Sequence, residues 1–146
     1  MKKVFAMMLA LTMGLGMVSC SSDDDGGSGP VFTIHGTWKV TQVFINGVEH
    51  DVNDYCPYRG SFQFVSGGTY VENGYELDGT DCLALDPIGG TWVKNGNTYT
   101  LTLNAGAVSS VLPNSFSPIT NSSNINTFEL SLSAGGIPTK LVFTKQ

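Results

Sequence analysis

The stretch Thr98-Tyr99-Thr100-Leu101-Thr102-Leu103 alternates polar and apolar side chains at every residue. Successive side chains of an extended strand point to opposite faces of a sheet, so this pattern predicts a β-strand with one buried face. The same alternation occurs in residues 61–64, 127–132 and 141–143. No segment has a sustained helical period, and the best helical candidate, residues 81–86, is about one turn long. The pattern predicts an all-β, antiparallel fold.

Turn residues such as Asn46-Gly47 and Asn95-Gly96 separate the alternating runs and are typical of tight hairpins. An up-and-down meander of about eight strands over residues 34–146, closed into a β-barrel, would leave no exposed strand edge. A two-sheet β-sandwich uses the same strand pattern and is the alternative. The side chains expected to point inward are Trp38, Val40, Phe44, Phe62, Phe64, Tyr70, Trp92, Tyr99, Leu101, Leu103, Phe128, Leu130, Leu132, Leu141 and Phe143.

The N-terminus has the composition of an export signal. Lys2 and Lys3 precede a short apolar run that ends at residue 18. This run contains four of the five methionines, and the fifth is Met1. A positive start followed by a short apolar run is typical of a secretory signal peptide, which we assign to residues 1–19. The run is too short, and too rich in glycine, for a membrane-spanning helix.

Cys20 follows Met17-Val18-Ser19, which resembles the lipobox of bacterial lipoproteins. The resemblance implies diacylglycerol on the Cys20 sulfur and a mature chain that begins there, anchored in the membrane by its acyl chains. An ordinary cleaved secretion signal is the alternative. Residues 20–33 form the lipidated cysteine and an acidic, Gly/Ser-rich flexible tether. An acidic cluster after this cysteine resembles the surface-export signal of some Gram-negative lipoproteins, and predicts an outer-membrane, surface-exposed protein of the cell envelope.

Cys56 and Cys82 remain as a pair once Cys20 is lipidated. An even pair in the oxidising envelope favours a disulfide over a metal or nucleophile role, because neither His35 nor His50 has ligand spacing with a cysteine. The bridge would tie the segment before Phe62 to the connection before Trp92.

The sequence offers little for catalysis, metals or nucleic acid. A net charge of −5 with 7 basic residues argues against binding to a phosphate backbone. The acidic stretches at 51–54 and 78–81 lack the twelve-residue calcium-loop pattern, so we interpret them as capped turns. No nucleophile motif is present, and carboxylate pairs are not singled out. We therefore predict a protein without enzymatic activity, catalytic residues, metal or cofactor.

Residues 104–127 are the least regular part of the predicted barrel. Residues 105–112 have strand composition, but Pro113, Pro118 and the polar run at 121–124 weaken that prediction. A mobile loop that shapes a pocket rim and a plain irregular connection are the two readings of this stretch.

The stretch Gly36-Thr37-Trp38 at the start of the first strand resembles the Gly-x-Trp motif of lipocalin-like domains. It is followed by Cys56, Phe62-Gln63-Phe64, a Gly-x-Tyr at Tyr70 and a second Gly-x-Trp at Trp92. This order resembles small lipocalin-like domains of Gram-negative envelope lipoproteins. The resemblance implies that Trp38 closes the barrel floor. Larger lipocalins cover this tryptophan with an arginine near the last strand, a position for which this chain offers Lys140 or Lys145.

The resemblance implies a non-enzymatic binding module that holds a small apolar or amphipathic ligand in the barrel. The alternative is a cell-surface interaction protein that uses the barrel as a scaffold for a protein or glycan partner. The aromatic residues either fill the core or line a pocket for a lipophilic ligand. The candidate ligand-binding residues are Trp38, Phe62, Phe64, Tyr70, Trp92 and Tyr99.

Overall fold

A computed structural model describes residues 31–146. The signal segment, Cys20 and the tether up to residue 30 lie outside the described residues. The strands are β1 (Gly36–Ile45), β2 (Val48–His50), β3 (Ser61–Val65), β4 (Thr69–Asn73), β5 (Tyr75–Asp78), β6 (Asp81–Ala84), β7 (Ile88–Asn95), β8 (Thr98–Leu103), β9 (Ser115–Phe116), β10 (Ile119–Asn121), β11 (Asn124–Ala134) and β12 (Ile137–Lys145). Two short 3₁₀ helices lie at Val52–Asp54 and Cys56–Arg59.

Ten strands form one strongly curled antiparallel sheet. Its order is β10-β11-β12-β1-β3-β4-β7-β8-β9, with β2 also paired to β1. β9 and β10 end this path, yet they are consecutive in the chain and are separated only by Ser117 and Pro118. A single segment therefore pairs first with β8 and then with β11, and Pro118 lies where it changes partner because proline cannot donate to a ladder.

If β9 and β10 are counted as one strand, eight antiparallel strands follow one another around the barrel in chain order. The last of them, β12, pairs with the first, β1. This confirms the predicted all-β, antiparallel fold with strands in up-and-down order. The sheet is a half-barrel in its hydrogen bonding, because the ladder is interrupted between β9 and β10 in the part of the chain that the structure describes. β5 and β6 form a separate hairpin.

The two ends of the barrel carry different elements. One end, which we call the floor, holds the start of β1, the turns at 66–68, 96–97 and 122–123, and the end of β12. The other end, which we call the mouth, holds the β5–β6 hairpin, both 3₁₀ helices and the connection from β8 to β9. The described chain enters at the floor, where Phe32 packs against Trp38 with a centroid distance of 5.9 Å.

Trp38 closes the floor from inside. Its side chain is fully buried, and its indole Nε1 donates to the carbonyl of Ile34 at 2.6 Å. Phe128 packs edge-on against the indole at 4.8 Å, and the Lys145 ammonium lies 5.7 Å from its centroid. Lys145 thus takes the place predicted for a cation over this tryptophan, whereas Lys140 lies over Phe44.

One prediction on local structure is wrong. A bulge between Val40 and Gln42 shifts β1, so Val43 is buried inside and Phe44 lies outside against Lys140. Residues 81–84, part of the best helical candidate, instead pair with β5 as β6. Residues 105–112 form an irregular connection without a strand.

Within residues 31–146, no helix has the length and apolar character needed to cross a membrane.

Candidate functional site

The barrel mouth is covered by residues 104–114, which we call the mouth loop. Leu112 of this loop is only 3% exposed and belongs to the hydrophobic core, although it lies outside any strand. Val108, four residues earlier, is 79% exposed. The loop therefore buries Leu112 in the barrel, with Val111 partly buried against the core, while Val108 lies in solvent.

The local sequence shapes the loop's descent into the mouth. The Ser109 hydroxyl oxygen accepts hydrogen bonds from the backbone N–H groups of Val111 and Leu112, at 3.3 and 2.9 Å. This serine turn satisfies two donors that have no sheet partner and directs Leu112 inward. Asn104 and Asn114 attach the two ends of the loop by backbone hydrogen bonds to Gly89 and Leu101.

Glu72 of β4 lies directly beneath the loop and is fully buried. Its Oε2 accepts a hydrogen bond from the Tyr70 hydroxyl at 2.8 Å. Its Oε1 accepts two from Ser110, from the backbone N–H at 2.9 Å and from the hydroxyl at 2.5 Å. All three contacts are donors, which fits an ionised carboxylate because that form only accepts.

Glu72 carries this charge without a cationic partner among residues 31–146. The one salt bridge in that range joins Lys140 to Glu129 on the outer face. A buried charge is costly unless it is paired or fully hydrogen-bonded, and here hydrogen bonds alone stabilise it. Two of the three come from Ser110, so the stability of the carboxylate depends on the closed loop.

The buried surroundings of Glu72 also change the pKa of the Tyr70 phenol. Burial raises its pKa far above the ordinary value of 10.0, and the negative charge of Glu72 and their hydrogen bond raise it further. The Ser109 side chain acts in the opposite direction. Tyr70 is therefore a neutral donor that holds Glu72 in place.

The six predicted ligand-binding residues lie together in the core. Trp38, Phe62, Phe64, Tyr70 and Tyr99 are buried, and Trp92 is half-buried against them. Phe64 contacts Tyr70 and Trp92 with centroid distances of 5.2 and 6.0 Å. With the loop closed, these side chains pack against one another, and their role toward a ligand stays a prediction.

An open groove of about 720 Å³ lies on the side of the barrel. β1 pairs with β3 up to Lys39 and with β2 from Val43, and the groove lies at the gap between these partners. Tyr58 lies at one wall, where burial and, secondarily, neighbouring Tyr55 raise its pKa. The lining residues are Lys39, Val40, Thr41, Glu49, His50, Asp51, Val52, Asn53, Tyr58 and Arg59.

A smaller cavity of about 380 Å³ lies near the β11–β12 turn. Phe44, Leu132 and Pro138 give it an apolar lining. Neither this cavity nor the side groove is lined by any of the six predicted ligand-binding residues.

The predicted disulfide is confirmed and lies at the mouth. Cys56 of the second 3₁₀ helix is bonded to Cys82 of β6, with 5.4 Å between their Cα atoms. The bridge holds the β5–β6 hairpin against the barrel, where Leu77 remains 65% exposed. Nearby, Asp51 caps the first 3₁₀ helix by accepting from the Asn53 N–H at 2.8 Å, which is the capping role predicted for it.

Sequence reasoning missed Glu72, Ser110 and Leu112. A signal for Glu72 was present: Tyr70 was assigned to the inner face, and a strand side chain two residues later shares that face. Nothing local in the sequence connects Ser110 to a carboxylate 38 residues earlier.

Comparison with known proteins agrees with this architecture. A family model described as a lipocalin-like domain matches residues 34–135. The chain belongs to this lipocalin-like family. The lipocalin-like fold commonly binds small hydrophobic ligands and is typically a binding fold, without enzymatic activity.

Two solved structures resemble the chain at low sequence identity. One is a lipocalin-like protein from Bacteroides uniformis, with a TM-score of 0.49, 14% identity, and coverage of 77% of this chain and 97% of that chain. The other is an uncharacterized protein from Bacteroides eggerthii, with a TM-score of 0.47, 14% identity, and coverage of 77% and 98%. No curated protein matches the chain.

Proposed function

We propose that this protein is a lipid-anchored, non-enzymatic binding module that takes a small apolar or amphipathic ligand into the barrel beneath the mouth loop. The observation that carries the proposal is Leu112, a buried core side chain supplied by a loop instead of a strand. A ligand that displaces Leu112 gains access to the aromatic interior. The lipocalin-like family supports the same class of function.

The mouth loop is attached lightly enough to open. Between its ends, the hydrogen bonds that join it to the barrel come from Ser110. Burial of a leucine side chain contributes about 1.5–3 kcal/mol. An eight-carbon alkyl chain gains about 6 kcal/mol on burial at ~0.8 kcal/mol per methylene, which exceeds the loss of Leu112 from the core.

A chain-length series of linear alcohols, from butanol to decanol, tests this function. The full chain with Cys20→Ser, which cannot be acylated, is titrated by calorimetry after circular dichroism has verified its fold. We expect saturable one-site binding whose affinity rises with chain length and then levels off when the interior is full.

Leu112→Ala is the matched variant for this series, and Leu77→Ala on the exposed hairpin is its control. Leu112→Ala removes the side chain that the ligand has to displace, so the affinity for each alcohol should rise, whereas Leu77→Ala should leave the affinities unchanged. Absence of saturable binding for every alcohol, with all proteins folded, contradicts the proposal.

The anchor of this module is the acylated Cys20, placed by a signal peptide of residues 1–19 in the outer membrane with the domain at the cell surface. Support comes from the lipobox-like sequence and from the position of Phe32, which brings the chain in at the floor. The mouth would then face away from the membrane. Incorporation of labelled palmitate into the wild-type chain, and its loss in Cys20→Ser, tests acylation. Protease digestion of intact cells tests surface exposure, and a chain that resists digestion until the cells are broken contradicts it.

The second candidate function is surface interaction with a glycan, through the side groove. Its walls combine the Tyr58 ring with Asp51, Asn53 and Arg59, and such groups bind sugar rings and hydroxyls. A glycan array probed with the wild-type chain and with Tyr58→Ala tests it. Loss of a specific signal in the variant supports this function, and no signal above background in the wild-type chain counts against it.

A further inference from the structure

Resting on the proposed function, we infer that Glu72 is the counter-ion of a cationic head group, so that the barrel prefers amphipathic amines to alcohols or fatty acids of equal length. The inference comes from one juxtaposition: a fully buried carboxylate beneath a loop that supplies two of its three hydrogen bonds.

Opening of the loop leaves Glu72 Oε1 without donors. Ser110 departs with its N–H and its hydroxyl, while Tyr70 stays on β4 and continues to donate to Oε2. A carboxylate stripped of donors in an apolar surrounding is strongly unfavourable. A ligand that enters beneath the loop therefore has to satisfy Oε1.

A primary ammonium group meets this requirement better than a neutral group. It offers three N–H donors, which can replace both donors of Ser110, and it adds charge attraction. Folding has already removed Glu72 from water, so the ligand does not have to dehydrate the carboxylate. Its alkyl chain then takes the space that Leu112 leaves.

The same geometry disfavours fatty acids. Their carboxylate would lie beside the charge of Glu72, and residues 31–146 provide no salt-bridge partner for Glu72 that would offset it. A hydroxyl head group can donate only one hydrogen bond and carries no charge. The expected order of affinity is octylamine, then 1-octanol, then octanoate.

Calorimetric titration of these three ligands at pH 7 tests the order, using the full chain with Cys20→Ser. We expect octylamine to bind about tenfold more tightly than 1-octanol, which is the effect of replacing a neutral hydrogen bond with a charge-assisted one. Octanoate should be weakest. If 1-octanol binds and octylamine binds no better, the inference is overturned while the proposed function stands. If no ligand in the series binds, the proposed function itself fails.

Two variants test whether the preference for the amine depends on Glu72: Glu72→Gln, and Glu76→Gln at an exposed position as the matched control. Glu72→Gln should lower octylamine affinity to about that of 1-octanol and leave 1-octanol within about threefold of the parent. Glu76→Gln should change neither. An unaltered amine preference in folded Glu72→Gln overturns the inference.

Ser110→Ala provides a second test that leaves the carboxylate in place. It removes a loop contact with which the ligand competes, so affinity for octylamine should rise about five- to tenfold. An unchanged or lower octylamine affinity in folded Ser110→Ala overturns the inference, because the ligand would then not compete with the loop for Glu72. The order of affinity in the parent chain and the Ser110→Ala result decide the inference even if Glu72→Gln does not fold.

Discussion

Trp38 and Trp92 occupy similar Gly-x-Trp positions but have different surroundings. Trp38 is fully buried, and its indole donates to a buried carbonyl. Trp92 is half-buried, and its indole donates to Val65 at an exposed site. One sequence motif thus serves two structural roles.

Replacement of the two tryptophans with alanine should separate these roles. Trp38→Ala should lower the free energy of unfolding by about 3–5 kcal/mol, because it opens a cavity at the floor and leaves the Ile34 carbonyl without its donor. Trp92→Ala should cost less than half as much, since less apolar area returns to water. Urea titrations of both variants measure the difference, and equal losses would contradict the assignment of Trp38 as the floor residue.

The buried Tyr70 phenol makes the free energy of unfolding depend on pH in the alkaline range. Its pKa lies far above 10.0 in the folded chain, and in the unfolded chain the phenol ionises near 10. Above pH 10 the unfolded state therefore loses a proton that the folded state keeps, and the free energy of unfolding falls by about 1.4 kcal/mol per pH unit. Below pH 10 this contribution is fully present.

Tyr70→Phe isolates this group from other titrating residues. Urea titrations between pH 9 and 11 should show a flatter pH dependence in the variant than in the parent chain, in addition to a constant loss from the missing hydrogen bond to Glu72. Identical slopes for the two proteins would contradict a buried, neutral Tyr70.

At the scale of elements, the sequence predicts the strands best where the buried face is regular. β8 and β11 keep strict alternation and were predicted from it. The bulge in β1 moved Phe44 to the outside, because a bulge depends on the partner strand and leaves no mark in the alternation itself. Residues 81–84 pair with β5, and tertiary contacts of this kind outweigh local propensity.

The β5–β6 hairpin depends on the disulfide more than any other element. It pairs only with itself within the described residues, and Cys82 ties it to the 3₁₀ helix that contains Cys56. Removing a bridge across 26 residues costs about 3 kcal/mol in the chain-entropy model.

The double variant Cys56→Ser/Cys82→Ser tests this dependence. We expect the backbone amides of β5 and β6 to exchange with deuterium much faster than in the parent chain, while those of β11 and β12 change only as far as global stability falls. Uniform acceleration over all strands would contradict a local role for the bridge.

At the scale of the whole molecule, the two barrel ends differ in structure and in proposed role. The floor is sealed by Trp38 and receives the chain from the N-terminal side, and the mouth carries the loop, the bridged hairpin and Glu72. Sequence patterns predicted the barrel, the floor tryptophan and the disulfide. They did not predict the mouth site, because it joins β4 to a loop distant in sequence through contacts that only the closed barrel creates.

The position of a bound ligand tests the proposed site beneath the mouth loop most directly. In ¹⁵N–¹H spectra of the full chain with Cys20→Ser, 1-octanol should shift the amides of Glu72 and of residues 109–112 first and most strongly, with saturation at one equivalent. The side groove around Tyr58 should shift little. Shifts confined to that groove, or none that saturate, would contradict a ligand site beneath the mouth loop.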